Sequence, residues 1–341
     1  GKEYVVTSLA DDGSEGTLRY AVEAEGPRIV TFAVSGDIHL TAPLNIRNPY
    51  LTILGQTAPG KGITLRDHNV FITADHVIVR YLRMRLGTAA GVEADALGAR
   101  HCRHLMIDHC SISWATDENA SFYNLADATI QWCIISEALN SSVHHKGKHG
   151  YGGIWGGRNV SFHHNLFAHN NSRNPRFDHP RLYSENDLLY YRGTVDFVNN
   201  VVYNWGMKAI YGGEEGWFNV ISNSFRPGPA TRNRDGEWLD ISISETTSMV
   251  KGKFYIDGNE YDGAVVKDER SESERFVTSV PLKELSARES YKEVLKHVGA
   301  SHRRDAIDRR IIKEVRKGTA TYKGSVTGLP GIIDSETDVL K

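Results

Sequence analysis

Residues 107–110 read Ile-Asp-His-Cys, and the same four-residue frame returns as Ile130-Gln-Trp-Cys133, Phe162-His-His-Asn165, Phe197-Val-Asn-Asn200, Val220-Ile-Ser-Asn223 and Ile256-Asp-Gly-Asn259. An apolar residue opens each copy, two variable positions follow, and the fourth recurs in kind, first as cysteine and then as asparagine. Val79-Arg-Tyr-Leu82 is an earlier, degenerate copy. From Leu82 onward the fourth positions are spaced by 28, 23, 32, 35, 23 and 36 residues, so the period has a floor near 23 to which loops are added. One coil of a solenoid has that signature, because each coil lays its strands on the last and stacks like residues at the same turn. Consecutive asparagines at the fourth position would then form an internal ladder, since asparagine tolerates left-handed turns and bonds neighbouring backbone groups. A β-sandwich also has regular strands, but it gives no reason for one residue type to recur at one frame position. The frame predicts an all-β chain, a right-handed parallel β-helix with its inserted loops collected on one flank.

Outward from the frame, short β-rich runs broken by Gly, Pro and Asn fill the chain, with hardly any helical pattern before residue 286. Residues 17–24 place Leu18, Ala21 and Val22 on one helical face before Gly26-Pro27, which predicts a short N-terminal cap helix. Ser286-Ala-Arg-Glu289 is a capping box followed by Tyr291, Val294, Leu295 and Val298 at helical spacing. A second helix should start at Asp305, carry Ile307, Ile311, Ile312 and Val315, and end at Gly318. These C-terminal helices, within 286–318, are expected to pack along the solenoid or to close its end, where an exposed edge needs cover. No Pro/Ser-rich linker precedes them, so residues 1–341 are expected to form a single domain.

The composition, 40% hydrophobic and 24% charged with a formal charge of -2, describes an ordinary globular protein. It gives no reason to expect a nucleic-acid partner. No run approaches the roughly 18 apolar residues of a membrane helix. Cys102, Cys110 and Cys133 are odd in number and lack CxxC spacing, which suggests neither a disulfide framework nor a zinc site. No charged-then-apolar leader precedes Lys2-Glu3-Tyr4, so either the protein is not exported or the numbering begins after a removed signal.

Charge is unevenly placed. From Lys146 to Arg181 there are six Lys or Arg residues against one acid, Asp178. Arg173, Arg176 and Arg181 crowd around Pro175 and Pro180, and with so few acids nearby they suit an anionic ligand. The Gly-rich run His144-His-Lys-Gly-Lys-His-Gly-Tyr-Gly-Gly153 also brings histidines together, but the interleaved Lys146 and Lys148 favour a polyanion over a divalent ion. One or two coils earlier lie Glu93, Asp95, Asp108, Asp117 and Glu118. Carboxylates brought side by side by coil stacking repel unless a cation such as calcium sits between them. Asp108 stands inside the frame beside His109 and is read as structural. Acids and then cations on consecutive coils imply a cleft where an anionic substrate is bridged to the protein through a metal.

Four ordered motifs now carry a resemblance: Ile107-Asp-His-Cys-Ser-Ile-Ser-Trp114 with Thr116-Asp-Glu-Asn119, Val160-Ser-Phe-His-His-Asn165, Arg173-Asn-Pro-Arg176, and Val198-Asn-Asn-Val-Val-Tyr-Asn-Trp205. Together they resemble the polysaccharide lyase family 1 pectate lyases from about Val6 to the C-terminal helices. The resemblance implies a parallel β-helix, calcium as cofactor, and cleavage of α-1,4-polygalacturonate by β-elimination to 4,5-unsaturated products. It puts Arg173 at the family's catalytic arginine, Asp95 at the leading calcium carboxylate, Glu93 at the acid two residues before it, and Asp117 or Glu118 at the next ligand. Two positions depart from the family. Ser121 stands where a further calcium acid is common, and Asp178 where a second arginine is common, with Arg176 and Arg181 on either side as substrate-binding candidates. Lys146 and Lys148 are candidates for the family's substrate-binding lysine, Lys148 the better placed. The resemblance also implies a secreted, periplasmic or cell-surface monomer.

The implied chemistry has a physical cost. Removing a proton alpha to a carboxylate is hard while that carboxylate keeps its charge, so a metal and a lysine must neutralise it. Arginine is a poor base on ordinary grounds, since its pKa lies above about 12. A cationic, partly desolvated cleft and an alkaline optimum would supply neutral guanidine, and activity is expected to rise well above neutral pH. A polygalacturonase-type β-helical hydrolase would need a group of acids as general acid and base instead. A pectin lyase acting on methyl-esterified chains would not need the metal carboxylates, and a non-catalytic pectin-binding solenoid would leave the polymer intact.

Overall fold

Each copy of the frame turns a corner between two sheets. The strand Leu105–Asp108 ends at His109, whose φ of 52° is left-handed, and Cys110 leads into the strand Ser111–Ser113. The same left-handed third residue recurs at Tyr81, Trp132, His164, Asn199, Ser222 and Gly258. The sequence reading placed asparagine's tolerance of left-handed turns at the fourth position. The structure gives that conformation to the third residue and turns the fourth inward.

There the asparagines form the ladder. Oδ1 of Asn165 accepts the Cys133 N–H at 2.9 Å, Asn200 accepts from Asn165 at 2.8 Å, Asn223 from Asn200 at 2.8 Å and Asn259 from Asn223 at 2.9 Å. All four are fully buried. Asparagine fits because its amide carries both a donor and an acceptor, and a buried corner N–H cannot go unpaired cheaply.

The structure is a computed structural model that describes residues 1–179, 184–232, 238–241, 251–279 and 282–340. Among these residues the strands form three sheets of 11, 8 and 10 strands, and each coil visits the 11-stranded, 10-stranded and 8-stranded sheet in turn. Pairing between strands of successive coils is parallel; the terminal hairpin Glu260–Tyr261 with Ala264–Val265 is antiparallel. Like residues stack in register. Val79, Ile107, Ile130, Phe162, Phe197, Val220 and Ile256 form one inward column, each paired with the next. The predicted parallel β-helix is the fold observed.

Helix α1 (Leu18–Glu23), capped by Thr17, buries the predicted Leu18, Ala21 and Val22 over the first coils. Helix α2 (Glu185–Tyr191) is a short insertion. Helix α3 (Ala287–His297) begins at the Ser286–Glu289 capping box, and α4 (Ala306–Lys317) runs from its Asp305 cap to left-handed Gly318. Of the two placements considered for the C-terminal helices, the flank is the one found. Val294, Leu295, Val298, Ile311, Ile312 and Val315 pack on Ile134, Leu166, Ala168, Val201 and Tyr203, residues of the 10-stranded sheet and its approach. Buried Arg85 fixes α4 through Asp305 at 2.9 Å and Asp308 at 3.0 Å. None of the described helices is long and apolar enough to cross a membrane.

Candidate active site

The loops between the 10-stranded and 8-stranded sheets carry the charged candidates. Asp95 precedes the strand Leu97–Ala99, Asp117 and Glu118 precede Ala120–Phe122, and Arg173 precedes Arg176–Phe177. Their relative placement is set by backbone bridges, Glu118 to Tyr151 and Tyr151 to Ser172. A second asparagine ladder locks them: Asn119 donates to Asn170 Oδ1 at 3.0 Å, and Asn170 to Asn174 Oδ1 at 3.1 Å. Glu118 and Arg173 are the chain neighbours of its two ends. Gly152 and Gly153 let the intervening coil pass, since a Cβ on either would lie 2.3 Å from Arg173 O or 1.7 Å from Ala120 O.

Asp95, Asp117 and Glu118 bring carboxylate oxygens within 4.8 Å of one another. Asp95 is pushed up to about 7, by burial first and then by the charge of Asp117. Its Oδ1 accepts the Glu118 N–H at 3.1 Å, and Ser121 also hydrogen-bonds to its carboxyl. Burial raises Asp117 as well, but the hydrogen bond and charge of His149, with His144 and Arg173, hold it below the usual carboxylate range. Three oxygen donors crowded against their own repulsion are what a hard cation relieves. Glu93 stands apart from this trio: it receives the His145 N–H at 2.9 Å and faces His145 Nδ1 at 2.8 Å. Asp108 accepts from Arg80 at 2.6 Å and Gln131 at 2.8 Å and faces His109, which is the structural role predicted for it.

Arg173, at φ 56°, has NH1 ion-paired with Glu118, Nε donating to the Tyr211 hydroxyl at 3.2 Å, and its guanidinium 4.3 Å from the Tyr151 ring centroid. Arg176 is buried and pairs with Glu214 at 2.6 Å. Few acids stand near these arginines in sequence, as expected, but Arg173 and Arg176 find acidic partners on other coils, Glu118 two coils away and Glu214 on the next. Lys146 and Lys148 are exposed on their loop, and Arg181 lies outside the described residues. Asp178, where the resemblance leads one to expect a second arginine, is buried and pushed up to about 8, chiefly by that burial. Tyr151 and Tyr211, which frame Arg173, escape sequence reading; the one signal for Tyr151 is the glycine run that follows it.

No family model matches the chain. It is 35% identical over 335 residues to the Aspergillus flavus protein named probable pectate lyase C, covering 92% of this chain and 73% of that one. The Neosartorya fischeri protein of the same name is 33% identical over 369 residues, covering 99% and 79%. The solved structure of a Bacillus sp. N165 pectate lyase in complex with trigalacturonate matches at a TM-score of 0.60 and 14% identity, over 88% of this chain and 94% of that one, a likeness of fold. The protein is thus a polysaccharide lyase built on a parallel β-helix. Within that class the chain belongs to the pectate lyase family and functions as a pectate lyase.

Proposed function

We propose that this pectate lyase cleaves α-1,4-polygalacturonate by β-elimination at the junction of Glu118 and Arg173, leaving 4,5-unsaturated oligogalacturonides. The observation that carries this reading is the convergence of an arginine, held by two tyrosines, on a trio of carboxylates in one cleft. Asp95, Asp117 and Glu118 would hold calcium, and bound calcium would neutralise a substrate carboxylate and acidify the adjacent C5 proton. Arg173 is the base. While NH1 is paired with Glu118 it cannot take that proton, so the productive complex has the pair parted. Tyr211, through Nε, and the Tyr151 ring keep the side chain over the cleft when that happens. A base must reach within about 3 Å of the proton it removes. Lys146 and Lys148, exposed beside the carboxylates' histidine partners, are candidate cations for further substrate carboxylates, with Arg181 the third. Arg176 serves by holding the wall of the cleft through Glu214. Glu93 acts on the calcium trio indirectly, through the histidines it holds. A polymeric galacturonate substrate suits a protein that works outside the cytoplasm, secreted, periplasmic or on the cell surface, and we propose that it works there as a single-domain monomer.

The test is ultraviolet absorbance of polygalacturonate at alkaline pH with calcium, with chelator, and with Arg173→Ala. A calcium-dependent rise lost in the variant is the expected result. New reducing ends without the rise would make the protein a hydrolase, and an activity maximum in the acid range would remove Arg173 as the base.

A further inference from the structure

The loop 143–150 presents its lysines and His145 to solvent and turns His144 and His149 in. His144 and His149 are buried, and Lys146 and Lys148 are exposed. Imidazoles and carboxylates alternate along one line: His145 Nδ1 lies 2.8 Å from Glu93, His144 Nε2 lies 3.3 Å from Glu93 and 3.4 Å from Asp117, and His149 Nε2 lies 2.6 Å from Asp117. The rings are stacked, His144 on His149 with centroids 3.8 Å apart and on His145 at 4.9 Å. Ligand atoms of Glu93, His144 and His145 fall within 4.8 Å of one another, as do those of Asp117, His144 and His149.

This arrangement is anchored from behind. The His149 N–H donates to Asn140 O at 2.7 Å, the Asn171 N–H donates to Gly150 O at 2.7 Å, and Asn171 Nδ2 donates to Asn140 Oδ1 at 3.0 Å. Gly147 and Gly150, at φ 79° and 77°, supply the left-handed turns that fold the loop back. These bonds fix the backbone of the loop and with it the position of His149.

The donor chemistry separates this group from the carboxylate trio. Oxygen donors alone suit calcium, whereas imidazole nitrogen with carboxylate oxygen suits zinc and its first-row neighbours. We propose that His144, which belongs to one triad with Asp117 and His149 and to another with Glu93 and His145, centres a site for a first-row divalent ion of the zinc type, which shares Asp117 with the carboxylate trio. The lysines between the histidines in sequence do not stand between them in space. In the structure the Lys146 N–H donates to His144 Nδ1 at 3.1 Å, which places the His144 proton on Nε2. At His144 the ion takes the place of the Nε2 proton, which moves to Nδ1 as the Lys146 N–H turns to water.

The experiment uses the tag-free full chain in excess calcium, titrated with zinc by calorimetry and with cobalt(II) by visible absorption. One zinc per chain is expected, with the cobalt bands of a four- or five-coordinate ion bound through nitrogen. His149→Ala and the double variant His144→Ala/His145→Ala should each weaken zinc at least tenfold, in line with the 10- to 100-fold effects of disturbing a metal shell. Lys146→Ala should leave zinc affinity unchanged, and circular dichroism checks that every variant is folded. Zinc that binds only when calcium is removed, or that binds folded histidine variants as tightly as the parent, would overturn the site. Neither readout depends on pectate cleavage, so the site and the proposed catalytic roles fail separately.

Discussion

Truncating one rung of the buried ladder measures what holds the coils in register. Asn223 is fully buried; Oδ1 accepts from the Asn200 N–H at 2.8 Å and from Asn200 Nδ2 at 3.1 Å, while Nδ2 donates to Phe197 O at 2.8 Å and Asn259 Oδ1 at 2.9 Å. Asn223→Ala leaves two buried donors without an acceptor. Each orphaned donor costs about 1–3 kcal/mol, the gap left by the amide adds about 1 kcal/mol, and an entering water recovers part of the sum. The expected loss is about 3–5 kcal/mol. Cys133 occupies the same frame position and is the internal control. Its thiol contacts are weak, at 3.8 Å to Ile107 O and 3.2 Å to Gln131 O, and truncation leaves its backbone N–H on Asn165. Cys133→Ala should therefore cost only about 1–2 kcal/mol, a small cavity and little else. Guanidinium unfolding of the three proteins, followed by near-ultraviolet circular dichroism in reductant, compares them directly. If the asparagine variant loses no more than the cysteine variant, the ladder's hydrogen bonds are not what fixes the register.

Three further outcomes follow from the charged groups. Asp95 has its folded pKa raised to about 7, so the fold binds that proton more tightly than the unfolded chain; without metal, its contribution falls as pH rises from about 4 to about 7 and is flat above. Asp95→Asn should therefore raise the metal-free melting temperature at pH 8 but not at pH 4, and should abolish the rise that calcium gives the parent. Asp308→Ala strips fully buried Arg85 of one of its two carboxylates and frees the Ser111 hydroxyl bonded at 2.6 Å, so urea unfolding should show a loss of about 3–5 kcal/mol. Tyr211→Phe keeps the ring but removes the acceptor of the Arg173 Nε–H; a loss of about 1–2 kcal/mol should lower kcat about 5- to 30-fold in the absorbance assay, with KM little changed.

Why the frame was readable and the site only partly so is a matter of where loops enter the coil. The frame spans the corner between the 11-stranded and 10-stranded sheets, where two residues suffice to turn, so every coil from Val79 onward repeats it and its column shows in the bare sequence. Insertions of varying length enter at the next corner, between the 10-stranded and 8-stranded sheets, while helix α2 enters at the third. That corner holds Asp95, Asp117, Glu118 and Arg173. The residue types were visible, but the phase between them was not, and phase decides that Glu118 meets Arg173 while Glu93 turns away to His145. The same loss of phase made Arg173 and Arg176 look unpartnered, since Glu118 and Glu214 reach them from other coils. Asn119, Asn170 and Asn174 are the hidden key to it. They do inside this corner what the frame asparagines do at the other, yet the inserted chain between Asn119 and Asn170 erases the spacing that would have announced a second ladder. A solenoid thus displays its scaffold through the corner that cannot vary and builds its chemistry at the corner that can. The alignment of Arg173 with the carboxylates is braced by three buried amides within the loops that carry it.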